Sequence, residues 1–132
     1  LVDLSRDIIA RHHIAPAGVL GHSDVAPTRK IDPGEALDWR WLAAQGVGLW
    51  ADDVRVEKVD TLALNAEGPA VAALQKTLAA YGYGVAPDGV YGPQTQAVVS
   101  AFQRHFRPQN IDGAADAQTQ SLIYALCRLA KS

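Results

Sequence analysis

Asp88-Gly89-Val90-Tyr91-Gly92-Pro93-Gln94-Thr95-Gln96 is one copy of an internal repeat: 24 residues downstream Asp112-Gly113 answers Asp88-Gly89, and Gln118-Thr119-Gln120 answers Gln94-Thr95-Gln96. Asp-Gly is a turn dipeptide, because Asp hydrogen-bonds nearby backbone and Gly accepts a left-handed conformation. Each copy runs from its turn into a helix. Gly92-Pro93 opens the first, with Val98, Ala101 and Phe102 facing inward; Asp116 caps the second, whose apolar stripe is Leu122, Ile123, Leu126 and Leu129. A third helix precedes both, opening at Gly68-Pro69, setting Val71, Leu74, Leu78 and Tyr81 on one face and ending at Gly82. Two copies are too few for a solenoid. The spacing therefore predicts a compact, all-α three-helix unit whose two Asp-Gly turns hold equivalent helix starts, with Asp88, Gly89, Gly92 and Thr95 in structural roles. Cys127, the single cysteine, falls in the last apolar stripe and reads as a small buried hydrophobe.

Working outward, the charged stretch Ala51-Asp52-Asp53-Val54-Arg55-Val56-Glu57 has no sustained helical period and marks a linker or short extended segment. The chain thus divides into residues 1–55, a linker at 56–64 and the helical unit at 65–132. Residues 1–55 open with a helix carrying Leu4, Ile8 and Ile9 on one face, with His12 and His13 near its end, where a cation suits the helix dipole. A turn follows at Pro16-Ala17-Gly18, and Val19-Leu20 reads as the end of a short buried strand.

Next comes Gly21-His22-Ser23-Asp24-Val25-Ala26-Pro27-Thr28-Arg29-Lys30-Ile31-Asp32-Pro33-Gly34. An imidazole and a carboxylate are both good Zn²⁺ ligands, and a catalytic zinc takes three protein ligands and keeps one position for water. His22 and Asp32 would supply two of the three. Their spacing excludes the one-face geometry of a zinc-binding helix, and the prolines break any helix between them, so they would converge through a loop. Lys30 could then aim its ammonium at an oxyanion beside the metal. The same residues also suit a loop hydrogen bond between His22 and Asp32, with Ser23 and Asp24 capping the turn; chemistry alone leaves both readings open.

The pattern G-H-S-D-x-A-P-x-R-K-x-D-P-G resembles the second half of the zinc-dependent N-acetylmuramoyl-L-alanine amidases, the amidase-2 family, and with Leu37-Asp38-Trp39-Arg40-Trp41-Leu42 and Gly46-Val47-Gly48-Leu49-Trp50 the resemblance covers roughly residues 1–50. It implies that His22 and Asp32 are zinc ligands and that Lys30 lies beside the reacting carbonyl. It also places Trp39 and Trp41 in a closing helix, so these and Trp50 are expected to seal a core rather than form a sugar platform. A first ligand His and a general-base Glu belong to the same pattern and are not found here; His12 and His13 are poor stand-ins. The chain starts with Leu in mid-pattern, and the expectation is a piece of a longer enzyme, inactive alone, whose parent fold is α+β. Residues 65–130, with L-Q-x2-L-x2-Y-G-Y, D-G-x-Y-G-x2-T-x2-A-V-x2-F-Q and a second D-G-x5-T, resemble the peptidoglycan-binding type 1 domain. That likeness implies a groove for cell-wall glycan or peptide, with residues expected to be exposed near the turns, Tyr91 and Gln94 among them, as candidate contacts; Tyr91 suits stacking on a sugar and a packing role alike.

The expected chain is therefore mainly helical: part of a zinc amidase followed by a wall-binding module, hydrolysing the amide between N-acetylmuramic acid and L-alanine. Its partner would be peptidoglycan or muropeptide, its state monomeric, and its place the cell envelope, either periplasmic, extracellular or as an outer-membrane lipoprotein. The alternative is a non-catalytic peptidoglycan-binding protein. Acidic and basic residues number 14 and 12, a balance without the basic excess that nucleic acid would demand. No apolar run is long enough to cross a membrane.

Overall fold

The chain's structure, a computed structural model, describes residues 2–25, with backbone alone at His22 and Ser23, residues 37–52 and residues 54–130. Among the described residues six helices follow one another: α1 (Val2–His12), α2 (His22–Val25), α3 (Trp39–Ala44), α4 (Pro69–Tyr81), α5 (Pro93–Phe106) and α6 (Ala117–Ala130), with a 3₁₀ turn at Pro16–Gly18. Strand pairing among the described residues is limited to two isolated antiparallel bridges, Leu62 with Ala115 and Glu67 with Val90. The chain is mainly helical, as its sequence predicts.

The last three helices form the unit that the repeat announced. Pro69 and Pro93 sit in the first turns of α4 and α5, where a missing N–H costs nothing. Gly82 ends α4 at φ 130° with its N–H on the Ala79 carbonyl and the Tyr83 N–H on the Leu78 carbonyl, a Schellman closure. Asp116 caps α6 by accepting the Thr119 N–H at 2.8 Å. Helix α4 packs on α6, and the core gathers Val71, Leu74, Leu78, Val98, Val99, Phe102, Phe106, Ile123 and Leu126.

Each Asp-Gly turn is closed by a buried glutamine from the preceding helix. The Gln75 amide donates to Asp88 Oδ1, the Val90 carbonyl and Thr95 Oγ1, and its Oε1 accepts the Gly89 N–H. Gln103 repeats this: its amide donates to Asp112 Oδ1, the Ala114 carbonyl and Thr119 Oγ1, and its Oε1 accepts the Asp112 and Gly113 N–H groups. Gly113 holds φ 75°, and a Cβ there would lie 2.8 Å from Ser100 Oγ. Only glycine fits. The expected linker is docked: the Glu57 N–H donates to Ser121 Oγ, the Asp60 carbonyl accepts from Gln120, and Leu62 exchanges both backbone bonds with Ala115.

Residues 2–52 build a smaller core of Trp39, Leu42 and Val47, joined by Val2, Ile9, Val19, Leu37 and Trp50. Trp50 packs on both cores and so joins the two units. Helix α1 corrects the expected face: Val2 and Ile9, two turns apart, turn inward, while Leu4 and Ile8 lie on the opposite side and are exposed. Val19-Leu20 is not a strand, having no described neighbour to pair with, and the chain enters α2 directly. Trp39 seals the small core as expected, whereas Trp41, two positions on and so on another face of α3, is 53% exposed. Leu129, in the last turn of α6, is also exposed because the stripe outruns the core. Cys127 is buried.

Candidate functional site

Helix α2 begins at His22, immediately after Gly21, and is held by a reciprocal cap. The Asp24 N–H donates to the Gly21 carbonyl at 3.1 Å, and Asp24 Oδ2 accepts the Gly21 N–H at 3.0 Å. The turn-capping role expected of Asp24 is therefore present. What the motif did not announce is that this carboxylate is 3% exposed and accepts two further bonds from far along the chain. Tyr83 Oη donates to Oδ1 at 2.6 Å, and His105 Nδ1 lies 2.8 Å from Oδ2. Facing a carboxylate, Nδ1 must be the protonated nitrogen. A buried carboxylate needs such partners, since an unsatisfied one would be expelled or neutralised.

The donors are themselves fixed. Burial, then the Asp24 charge and hydrogen bond, push the Tyr83 phenol well above its ordinary range, so it stays a neutral donor through the physiological range. The His105 ring is 2% exposed and stacked on Trp39 at 3.8 Å and on Phe106 at 3.9 Å. Its Nε2 is buried and has no partner among the described residues.

Of the residues singled out from sequence, His22 occupies the first position of α2, while Lys30 and Asp32 lie outside the described residues. Among the described residues no three His, Cys, Asp or Glu side chains converge as a metal set. Asp24 is committed elsewhere: buried, it accepts three hydrogen bonds, from Gly21, Tyr83 and His105. His12 and His13 are exposed at the end of α1, with His13 at φ 53° leaving the helix, in keeping with a structural role.

On the helical unit, Tyr91 was expected at the surface and is instead fully buried, its hydroxyl donating to the Gly113 carbonyl at 2.6 Å. The ring fills the space between the two repeated turns, so its face is closed to a sugar. Gln94 is exposed and donates to the Gly84 carbonyl at 3.1 Å. A cleft of about 650 Å³ opens where the two units meet. Trp39, His105, Phe106 and Trp50 line its aromatic side, and Arg40, Asp52, Gln109 and Gln118 are among its polar groups. Arg40 and Asp52 pair at 3.0 Å. Arg107, also on the cleft, is structural: its Nη1 donates to both Asp116 oxygens at 2.6 and 2.7 Å. Burial pushes the Asp116 carboxyl up, but the bonds from Arg107 and Thr119 outweigh this and hold it below its ordinary value.

The comparisons with known proteins fit this two-unit geometry. Residues 67–123, spanning α4, both repeated turns and the first half of α6, match the family described as "Putative peptidoglycan binding domain". Over 128 residues the chain is 48% identical to the N-acetylmuramoyl-L-alanine amidase AmiD of Escherichia coli (strain K12), taking in 96% of this chain and 45% of AmiD. The likeness runs through both units. The chain is similar to the N-acetylmuramoyl-L-alanine amidase AmiD over nearly its whole length. In three dimensions it superposes on E. coli AmiD in complex with anhydro-N-acetylmuramic acid-L-Ala-D-gamma-Glu-L-Lys with a TM-score of 0.80 and 42% identity, covering 97% of this chain and 49% of that one. Against AmpDh3 from Pseudomonas aeruginosa in complex with anhydromuramic pentapeptide the TM-score is 0.82 at 33% identity, covering 97% and 50%. The chain thus spans about half the length of the amidases it matches. No described helix is long and apolar enough to cross a membrane.

Two features of the structure escaped the sequence reading. The glutamine hubs carry a signal in the chain, an apolar-Gln pair on the helix before each turn, Leu74-Gln75 and Phe102-Gln103. Tyr83 closes the quoted Y-G-Y motif and His105 belongs to none, and neither announces Asp24 as its partner, because the contact spans 59 and 81 positions.

Proposed function

We propose that this chain belongs to a zinc-dependent amidase that cleaves the amide between the lactyl group of N-acetylmuramic acid and the L-alanine of the peptidoglycan stem, and that it contributes two of the zinc ligands and the wall-binding module. The observation that carries the reading is the likeness over both units to amidases whose structures hold muropeptides. In this reading the parent fold is α+β, and the third ligand and the proton-accepting carboxylate come from residues outside this chain.

The donor chemistry fits zinc. His22 offers an imidazole and Asp32 a carboxylate, the pairing that the ion favours, while Asp24, the carboxylate nearer to His22 in the chain, is withheld by its own hydrogen bonds. Bound there, zinc would supply Lewis acidity and a water acidified toward neutral pH. Lys30 has the remaining task in this chain, donating to the oxyanion that grows on the scissile carbonyl. The cleft between the units sets the half-buried Trp50 near the exposed Gln109 and Gln118, groups that suit a saccharide or stem peptide, and Gln94 on the exposed side of α5 is a further contact. The protein would work as a monomer in the cell envelope, periplasmic, extracellular or lipid-anchored at the outer membrane.

The test is product analysis with the intact protein and a muropeptide: release of a stem peptide with a free L-alanine amine is expected. Lys30→Ala should lower kcat on the order of 10²–10³-fold, the usual cost of one oxyanion donor, while zinc stays bound. An unchanged kcat would remove Lys30 from the mechanism. The match of residues 67–123 by themselves favours a second reading, a wall-binding protein without hydrolysis. Retention on sacculi with no peptide released would select it.

A further inference from the structure

We propose that Tyr83 and His105 of the helical unit are positioning residues for the short helix that carries His22: by holding Asp24 they fix α2, so that the wall-binding module is part of the catalytic architecture rather than an appendage. This rests on the reading of His22 as a zinc ligand.

The geometry is specific. Asp24 closes the cap that starts α2, and both its oxygens are occupied, Oδ1 by the Tyr83 hydroxyl at 2.6 Å and Oδ2 by Gly21 N–H at 3.0 Å and His105 Nδ1 at 2.8 Å. Three donors around one carboxylate leave its plane no freedom to turn, and short bonds to an ionised acceptor are the directional ones. Helix α2 also packs directly on α5, which carries His105. The His105 ring cannot swing away, being clamped between Trp39 of α3 and Phe106. A buried carboxylate is a poor device for adding stability, since an apolar side chain of similar volume would serve as well or better. It is a good device for fixing one geometry. A helix of four residues has almost no stability of its own, so its orientation is set by what grips it.

The test uses the intact protein and three variants. Tyr83→Phe removes only the hydroxyl, His105→Leu removes the ring donor, and His105→Asn keeps an N–H near the Nδ1 position. Two readouts are taken: amide exchange at Gly21 and Asp24, and zinc affinity by competition with a chromogenic chelator. Tyr83→Phe and His105→Leu should speed exchange at both amides and weaken zinc roughly tenfold, as loss of groups that orient a ligand typically does; His105→Asn should retain most of both. Unchanged exchange in Tyr83→Phe and His105→Leu would overturn the proposal, and so would faster exchange with unchanged zinc affinity. If the wild-type protein binds no zinc while exchange still responds to Tyr83→Phe, the mechanical hold stands and the ligand reading of His22 falls. In Tyr83→Phe, whose side chain lies off the cleft, muropeptide KM should stay near wild type while kcat falls.

Discussion

At the scale of single residues, polar side chains in the interior set the geometry. Gln103 occupies five partners around one turn, and a leucine of similar size would leave the buried Gly113 N–H unpaired. Stranding such a group costs ~1–3 kcal/mol, so Gln103→Leu should lower the urea unfolding midpoint by that equivalent. An unchanged midpoint would show the hub idle. The sequence made half of this level legible. The local cap of Asp24 follows from Gly21-His22-Ser23-Asp24, because its partner is three residues away. The burial of Tyr91 and the grip of Tyr83 and His105 on Asp24 do not follow, because they are decided by packing across the whole chain. His22 and Asp32 were named by motif chemistry and by resemblance, and their role rests on the zinc measurement.

At the scale of elements, helices α4, α5 and α6 were readable nearly to the residue, since Gly-Pro starts, a glycine stop and an aspartate cap mark their ends. The repeat was equally readable because each turn demands a left-handed glycine. That demand gives a contrast: Gly113→Ala, at φ 75° and against Ser100 and Gln96, should cost ~1–3 kcal/mol, while Gly84→Ala, where a Cβ meets nothing within 4 Å, should be near neutral. Equal thermal midpoints for the two would contradict the turn geometry. Where elements were misread, the local pattern was ambiguous. Leu4, Ile8 and Ile9 lie close in sequence, yet Val2 and Ile9 are the pair that meets Trp39 and its neighbours, and Val19-Leu20 has the composition of a strand without a described partner to pair with.

At the scale of the molecule, two apolar clusters share Trp50, and three phenols sit near their junction or within the larger core. Burial is the leading reason that Tyr81, Tyr83 and Tyr91 are all pushed above the ordinary phenol value, with the Asp24 charge adding to it at Tyr81 and Tyr83. A proton held more tightly in the folded chain contributes stability that is fully present below about pH 10, the unfolded value, and is lost as pH rises beyond it. With the fourth tyrosine removed as Tyr124→Phe, so that only these three rings report, alkaline titration should therefore show phenolate absorbance rising together with loss of helical circular dichroism; phenolate appearing first, with the helices intact, would contradict the burial of these rings.

The hold of Tyr83 and His105 on Asp24 also bears on how freely such modules can be exchanged. Under the proposed function, swapping residues 65–132 for a three-helix peptidoglycan-binding domain from another protein should give a chimera that adheres to sacculi but hydrolyses poorly, unless the donor module presents a hydroxyl and an imidazole at those two places. Grafting that pair onto a donor that also seats Trp39 and Trp50 should restore turnover, which makes compatibility between such modules a matter of a few contacts at the junction.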